Sequence, residues 1–329
     1  MPTTAAITLP PPQTLGQSDN FDQTVVIGAG PGGVSAALYL KRFGHPVTII
    51  DAGEQIHSRT DMAPDLHNYP GHTEPVSGPE FMKRLHRQLA LHDIELIKGL
   101  VSKVSRLPDG RFEIDLAEQA TKLQAGYVVV AVGVGDYMPE VKGMDDYWDR
   151  GIFHCLTCDW YENRDDIALI VADDDRGLTT ARALYLMNKP PRLIVAPAKT
   201  ANYTAAKVAE VEAMGVEVYT SPLAELIGQN GDLEEIVLAD GTRLPCQVIF
   251  TKLGHFNYDQ FLEAGGLTPA RESFESCLKV DFRSFLTSEP RLYAVGPCNE
   301  GPDQAVIAAG QGAMAASSIH LAILGRHGI

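Results

Sequence analysis

At 329 residues, with 45% apolar and 21% charged side chains, the chain has the size and composition of a globular protein of two ordinary domains. No uninterrupted run reaches the roughly 18 apolar residues of a membrane helix, and no charged-then-apolar leader opens the chain, so neither a membrane nor an extracellular protein is expected and a cytoplasmic one is. The net charge of −15 sets nonspecific nucleic-acid binding aside, because phosphates would be repelled.

Residues 1–20 are small, polar and centred on Pro10-Pro11-Pro12, the composition of a flexible tail. Thr24-Val-Val-Ile27 then reads as a buried parallel strand, Val34–Phe43 as a helix, and Val47–Ile50 as a second strand ending at Asp51. Between the first strand and the helix stands Gly28-Ala29-Gly30-Pro31-Gly32-Gly33, a dinucleotide fingerprint in its proper context. Gly28 makes the tight turn, Gly30 lets backbone amides approach a pyrophosphate, and Gly33 lets the helix pack on the sheet. Asp51, at the end of the next strand, is placed to accept from a ribose hydroxyl. An amphipathic helix follows at Gly78–His92, then short strands near 95–97, 101–105 and 111–116, the last two joined through Pro108-Asp109-Gly110. Tyr127–Ala131 is another buried strand, ended by Gly133 and Gly135.

A second α/β round opens with the strand Ile167–Val171 and a helical run, Thr179–Met187. Strands at 192–195 and 216–219 flank a helix over 204–214, and segments 232–239 and 247–250 flank the hairpin turn Asp240-Gly241. The chain closes with a strand at 291–296 and a small-residue helix at 303–324. This order predicts an α/β protein of two nucleotide-binding, Rossmann-like, three-layer domains, the second inserted into the first. The first would span residues 21–138 and 256–329, the second residues 139–255.

Of the five cysteines, Cys246 and Cys298 lie beside apolar runs and read as small core residues, while Cys277 carries no recognisable constellation. Cys155-Leu156-Thr157-Cys158-Asp159 has three candidate meanings. A metal site lacks partner ligands at suitable spacing, so no metal is expected. Two structural thiols are the plain alternative. A redox disulfide is favoured, because Asp159 could shuttle the proton that a dithiol must release and regain.

Asp173-Asp174-Asp175 occupy the second strand-to-helix turn, where phosphate-binding glycines would be expected. A diphosphate near one such carboxylate meets repulsion on the order of 2–3 kcal/mol at an effective dielectric of 20. Helix-end attraction of roughly 0.3–1 kcal/mol does not offset three of them. The ordinary nucleotide pose is disfavoured there.

From Phe21 onward the chain resembles the low-molecular-weight thioredoxin reductases and their relatives. Gly28–Gly33, Pro31 included, matches their FAD pyrophosphate loop, and His67-Asn68-Tyr69-Pro70-Gly71 looks like their Glu-Asn-Trp-Pro-Gly segment, which implies Asn68 near the flavin. Val130-Ala131-Val132-Gly133 stands where they have Ala-Thr-Gly, Gly151–Asp159 is similar to their Cys-Ala-Thr-Cys-Asp stretch, and Gln304-Ala305 matches an element lying over the flavin. The resemblance implies Cys158 as the sulfur nearest the flavin, Cys155 as the one exchanging with an external thiol, Asp159 as acid/base, and an FAD-binding homodimer. Three departures stand out. Both the second glycine turn and the arginines that grip the 2′-phosphate of NADPH are missing, since Arg192-Leu-Ile-Val-Ala-Pro197 has no cation after its strand until Lys199. Gly296-Pro297 replaces a Gly-Asp whose acid meets the flavin's ribitol chain.

The expected protein is an FAD-dependent disulfide oxidoreductase that does not use NADPH, with one FAD or with a second in the nicotinamide's place. Its partner would be a thioredoxin-like protein or a small dithiol or disulfide. His154-Cys155-Leu156-x-Cys158 with Tyr161-Glu162 also resembles the dithiol oxidases of natural-product pathways. A thioredoxin reductase driven by NADPH or ferredoxin, a small-molecule dithiol oxidase and a non-enzymatic flavin redox sensor are the alternatives.

Overall fold

The computed structural model describes residues 21–328 apart from 118, 120, 121, 148, 149, 274 and 275, so the tail expected over 1–20 lies outside the described residues. Thr24–Ile27 is fully buried and forms the centre of a five-stranded parallel sheet. Val47–Asp51 and Tyr127–Val130 flank it, with Thr24 facing both Val47 and Tyr127 in register. Glu95–Lys98 and Leu292–Ala294 close the two edges. A strand from near the end of the chain therefore completes a sheet begun near its start. Strands buried on both faces in this way need continuous apolar runs, which is what the sequence supplies.

Between those strands lies a second five-stranded parallel sheet, ordered Glu217–Val218, Leu193–Ala196, Ala168–Val171, Val248–Thr251, Ile152–Phe153. Each parallel sheet is accompanied by a three-stranded antiparallel one, over 101–125 and 223–245. The chain leaves and re-enters the first unit through a two-stranded ribbon, Val134–Asp136 against His255–Asn257. Gly135 lets the Phe256 ring lie over this ribbon, since a Cβ there would come within 2.3 Å of the end of that ring and displace it.

Several expected elements shift. Segment 232–238 pairs across Asp240-Gly241 with Arg243–Pro245, whereas Val248–Thr251 joins the parallel sheet instead. The helix expected from Thr179 begins at Asp175, because the Asp174 carboxylate accepts from the Arg176 N–H and caps it four residues earlier. The first helix starts at Pro31, a residue suited to a first turn. The closing helix, Ala305–Arg326, has the length and mean hydropathy (1.4) of a membrane span. One face of it packs closely: a Cβ on Gly312 would lie 2.1 Å from the Gly32 carbonyl oxygen, so this helix rests directly on Pro31–Arg42, while 39% of its apolar window is buried.

Candidate active site

The first glycine turn is shaped by clashes that any side chain would cause. Gly28 has φ +104°, and a Cβ on it would lie 2.4 Å from the Ala131 carbonyl oxygen; one on Gly33 would meet the Gly28 carbonyl oxygen at 1.9 Å. Gly30 faces open space instead. The helix behind it has no side-chain cap, so its first-turn N–H groups are left for a ligand. Asp51 accepts from the amides of Ala29 and Gly53, both at 2.8 Å. Those bonds hold the carboxylate at the end of its strand and leave each oxygen further acceptor capacity.

A cavity of about 560 Å³ starts at this turn. Gly28, Gly30, Pro31, Asp51, Asn68, Ala131, Gly133, Gly296, Gln304 and Ala305 all reach its wall, together with Cys155, Cys158 and Asp159. Gly33 does not, consistent with a packing role. Gly296, at φ +77°, donates its amide to the buried Gln311 at 2.6 Å. That glutamine, missed in the sequence, stands about two helical turns beyond Gln304 and has no local signature.

Cys155 and Cys158 form a disulfide at the start of the short helix Leu156–Asp159. Gln304 touches both sulfurs, with Nε2 3.4 Å from Cys155 and Oε1 3.7 Å from Cys158, and Asn68 donates to its Oε1 at 2.8 Å. The two sulfurs and an Asp159 oxygen lie within 4.8 Å of one another. Burial, helped by the neighbouring charge of Glu162, pushes the Asp159 carboxyl up to about 7, the range where an acid/base serves best at neutral pH. His154 behaves otherwise. Burial lowers its pKa against the pull of Asp136, whose Oδ2 is 3.8 Å from Nε2, so a neutral imidazole precedes the cysteines. Asp136 in turn pairs with Arg59, which also reaches Asp303. This cluster joins three distant segments at the cavity wall, and nothing local in the sequence marks it.

The remaining cysteines divide as expected in part. Cys246 and Cys298 are fully buried, and burial pushes both thiols up to about 12. Cys277 has a neighbour after all: its Sγ is 3.4 Å from Nε2 of His255, a residue of the cavity wall.

The second turn is built in the opposite sense from the first. Asp173 accepts from the amides of Ala198 and Lys199, and its carbonyl accepts from Asn202 N. Asp175 accepts from both the amide and the hydroxyl of Thr204 at 2.8 Å. Tyr203 Oη donates to the Ala172 carbonyl at 2.6 Å. Asp174 is paired with Arg176, whose hydrogen bond holds that carboxyl below the usual range. Of the three carboxylates expected to repel a diphosphate, Asp174 is paired with Arg176, while Asp173 and Asp175 bind the loop after the neighbouring strand.

Two parallel α/β units, a glycine turn open to a cavity, and a disulfide with an adjacent acid on that cavity's wall define a flavin-dependent disulfide oxidoreductase. The chain belongs to the pyridine nucleotide-disulphide oxidoreductase family, which matches residues 22–312. It is 25% identical to the thioredoxin reductase of Aquifex aeolicus over 94% of this chain and 96% of that protein. It is 29% identical to the ferredoxin–NADP reductase of Saccharopolyspora erythraea, over 91% and 92% of the two chains. The thioredoxin reductase structure from Streptococcus pyogenes MGAS5005 superposes with a TM-score of 0.82 at 23% identity, covering 92% of this chain and 99% of that one. The family implies FAD, and the residues present fit it: an uncapped helix end, a glycine opening onto free space, and an anchored acid at the next strand.

Proposed function

We propose that this protein exchanges two electrons between FAD and the Cys155–Cys158 disulfide without drawing on NADPH. The observation supporting this reading is the tied-down second turn. A dinucleotide needs the amides at a strand-to-helix turn and the space beside the following strand. Here Asp174 already takes the Arg176 amide, while Asp173 and Asp175 draw residues 198–204 toward the turn. The arginines that would clamp a 2′-phosphate are also missing from the segment after Leu193–Ala196, where the first cation is Lys199.

FAD, held at the first turn, supplies the two-electron chemistry. The protein's own groups do the rest. A thiolate of an external dithiol attacks Cys155 Sγ, the Cys155–Cys158 bond breaks, and Cys158 leaves as thiolate. The second substrate thiol then displaces Cys155 and closes the substrate's disulfide. Asp159, half-protonated near neutral pH, takes up the proton released. Gln304 lies against both sulfurs of the disulfide that the thiolate attacks. The partner is a thioredoxin-like protein or a small dithiol, and the working unit is a homodimer. Anaerobic stopped-flow absorbance tests the reading: a dithiol should bleach the flavin and NADPH should not, and rapid bleaching by NADPH would overturn it.

A further inference from the structure

The two sulfurs of the disulfide have unlike neighbours. Gln304 Nε2 is 3.4 Å from Cys155 Sγ, while its Oε1 is 3.7 Å from Cys158 Sγ. Asn68 Nδ2 donates to that same Oε1 at 2.8 Å, which fixes the end of the Gln304 amide that faces each sulfur. Cys155 also caps the helix Leu156–Asp159, its Sγ accepting from the Cys158 N–H at 3.1 Å. Two N–H groups thus converge on Cys155, whereas the amide turns towards Cys158 an oxygen with no proton to give. We propose that Gln304, oriented by Asn68, is a catalytic residue of the dithiol exchange: its Nε2–H, with the Cys158 amide, stabilises the negative charge that develops on Cys155 as this sulfur leaves its mixed disulfide with the substrate. This deepens the proposed function and rests on its reading of Cys155 as the sulfur that exchanges with an external dithiol.

In the mixed disulfide Cys155 is bonded to one substrate sulfur, and the second substrate thiolate attacks that sulfur. The bond closing the substrate's disulfide forms, the bond to Cys155 breaks, and its electron pair stays on Cys155. The substrate has then lost two electrons and the cysteine pair has gained them, while the proton of the second thiol goes to Asp159, within 4.8 Å of the sulfurs. A leaving thiol departs faster when its anion is better stabilised, and hydrogen bonds to an anion are the strong ones. The other titratable and charged groups nearby are engaged with one another. His154 is held toward its neutral form by burial, Lys252 donates to the His154 carbonyl at 2.9 Å, and Arg59 is paired with Asp136 and Asp303. Glu162 and His67 face each other at 3.8 Å. Gln304 and Asn68 carry no charge, so replacing them with neutral residues removes a hydrogen bond without adding or deleting an ion.

The test uses FAD-loaded protein carrying Cys158→Ser, in which Cys155 titrates alone and keeps its backbone donor. Alkylation of Cys155 by iodoacetamide, followed from about pH 5 to about pH 10 by peptide mass spectrometry, gives the thiolate midpoint. Gln304→Met should raise that midpoint enough to cut the thiolate fraction at about pH 7 roughly tenfold. Asn68→Leu should raise it by less, and the double variant should match Gln304→Met, since Asn68 acts through Gln304. Release of Cys155 from a glutathione mixed disulfide by dithiothreitol, read from the intact mass, should slow about three- to tenfold in Gln304→Met. Gln304→Glu keeps the side-chain shape and puts an oxygen in place of the N–H; it should raise the midpoint at least as far, and it serves if the methionine variant does not hold FAD. An unmoved or lowered midpoint in Gln304→Met, or an Asn68 effect that persists without Gln304, would overturn the proposal. Alkylation does not pass through the flavin, so bleaching by NADPH would strike only the NADPH-independent reading. Failure of dithiothreitol to bleach the flavin of the unsubstituted protein would instead remove the exchange reading on which this role depends.

Discussion

The two strand–turn–helix units of this molecule start from the same plan and end with opposite uses. Each has a buried strand leading into a turn and a helix, and each keeps the glycine that allows close helix–sheet packing. Gly33 would clash with Gly28 if it carried a Cβ, and Gly177 would place one 2.4 Å from the Ala172 Cβ. They differ at the positions that meet phosphate. The first helix is uncapped and faces open space at Gly30; the second is capped by Asp174 and tied by Asp173 and Asp175 to the loop ending at Thr204. A packing glycine thus preserves a fold whether or not a ligand binds, while the turn side chains decide whether the helix end is available.

The sharpest way to break the comparison is at the open turn. Gly28→Val demands a side chain at φ +104° against the Ala131 backbone, and should abolish FAD retention, read as the absorbance of the purified protein. Cys158→Ser should keep the flavin but slow dithiol-driven bleaching by roughly a thousandfold or more.

Asp159→Asn should cost about a hundredfold in the same reaction and remove the rise in rate expected as pH climbs through about 7. Its effect on stability has a defined sign. The folded-state pKa is raised, so the wild-type acid favours folding at low pH, and that contribution fades as pH rises through about 7. Asp159→Asn should therefore gain in melting temperature relative to wild type above neutral pH and not below about pH 4.

At the closed turn the effects are smaller. Asp173→Ala and Asp175→Ala should each cost about 1 kcal/mol and speed amide exchange over residues 198–204. Asp174→Ala should cost a similar amount through the lost cap, about 1 kcal/mol, with exchange confined to the first turn of Asp175–Met187. If the Asp173 and Asp175 variants left exchange in 198–204 unchanged, the loop would be held by something other than these carboxylates.

The sequence by itself determined the features that depend on neighbours along the chain. Alternation of apolar strands with helices, glycines at fixed steps in a turn, and two cysteines three residues apart with an acid beside them are all local patterns, since φ/ψ limits and hydrogen bonds within a turn act over a few residues. Tertiary structure alone decided the rest. Gln304 meets Cys155 across 149 positions, Arg59 meets Asp303 across 244, and two of the three aspartates that read as repelling charges, Asp173 and Asp175, accept from amides some 25 to 29 residues away. Whether a charged side chain repels a ligand or binds its own backbone depends on which segment the fold brings within about 3 Å, and no spacing along the chain records that distance.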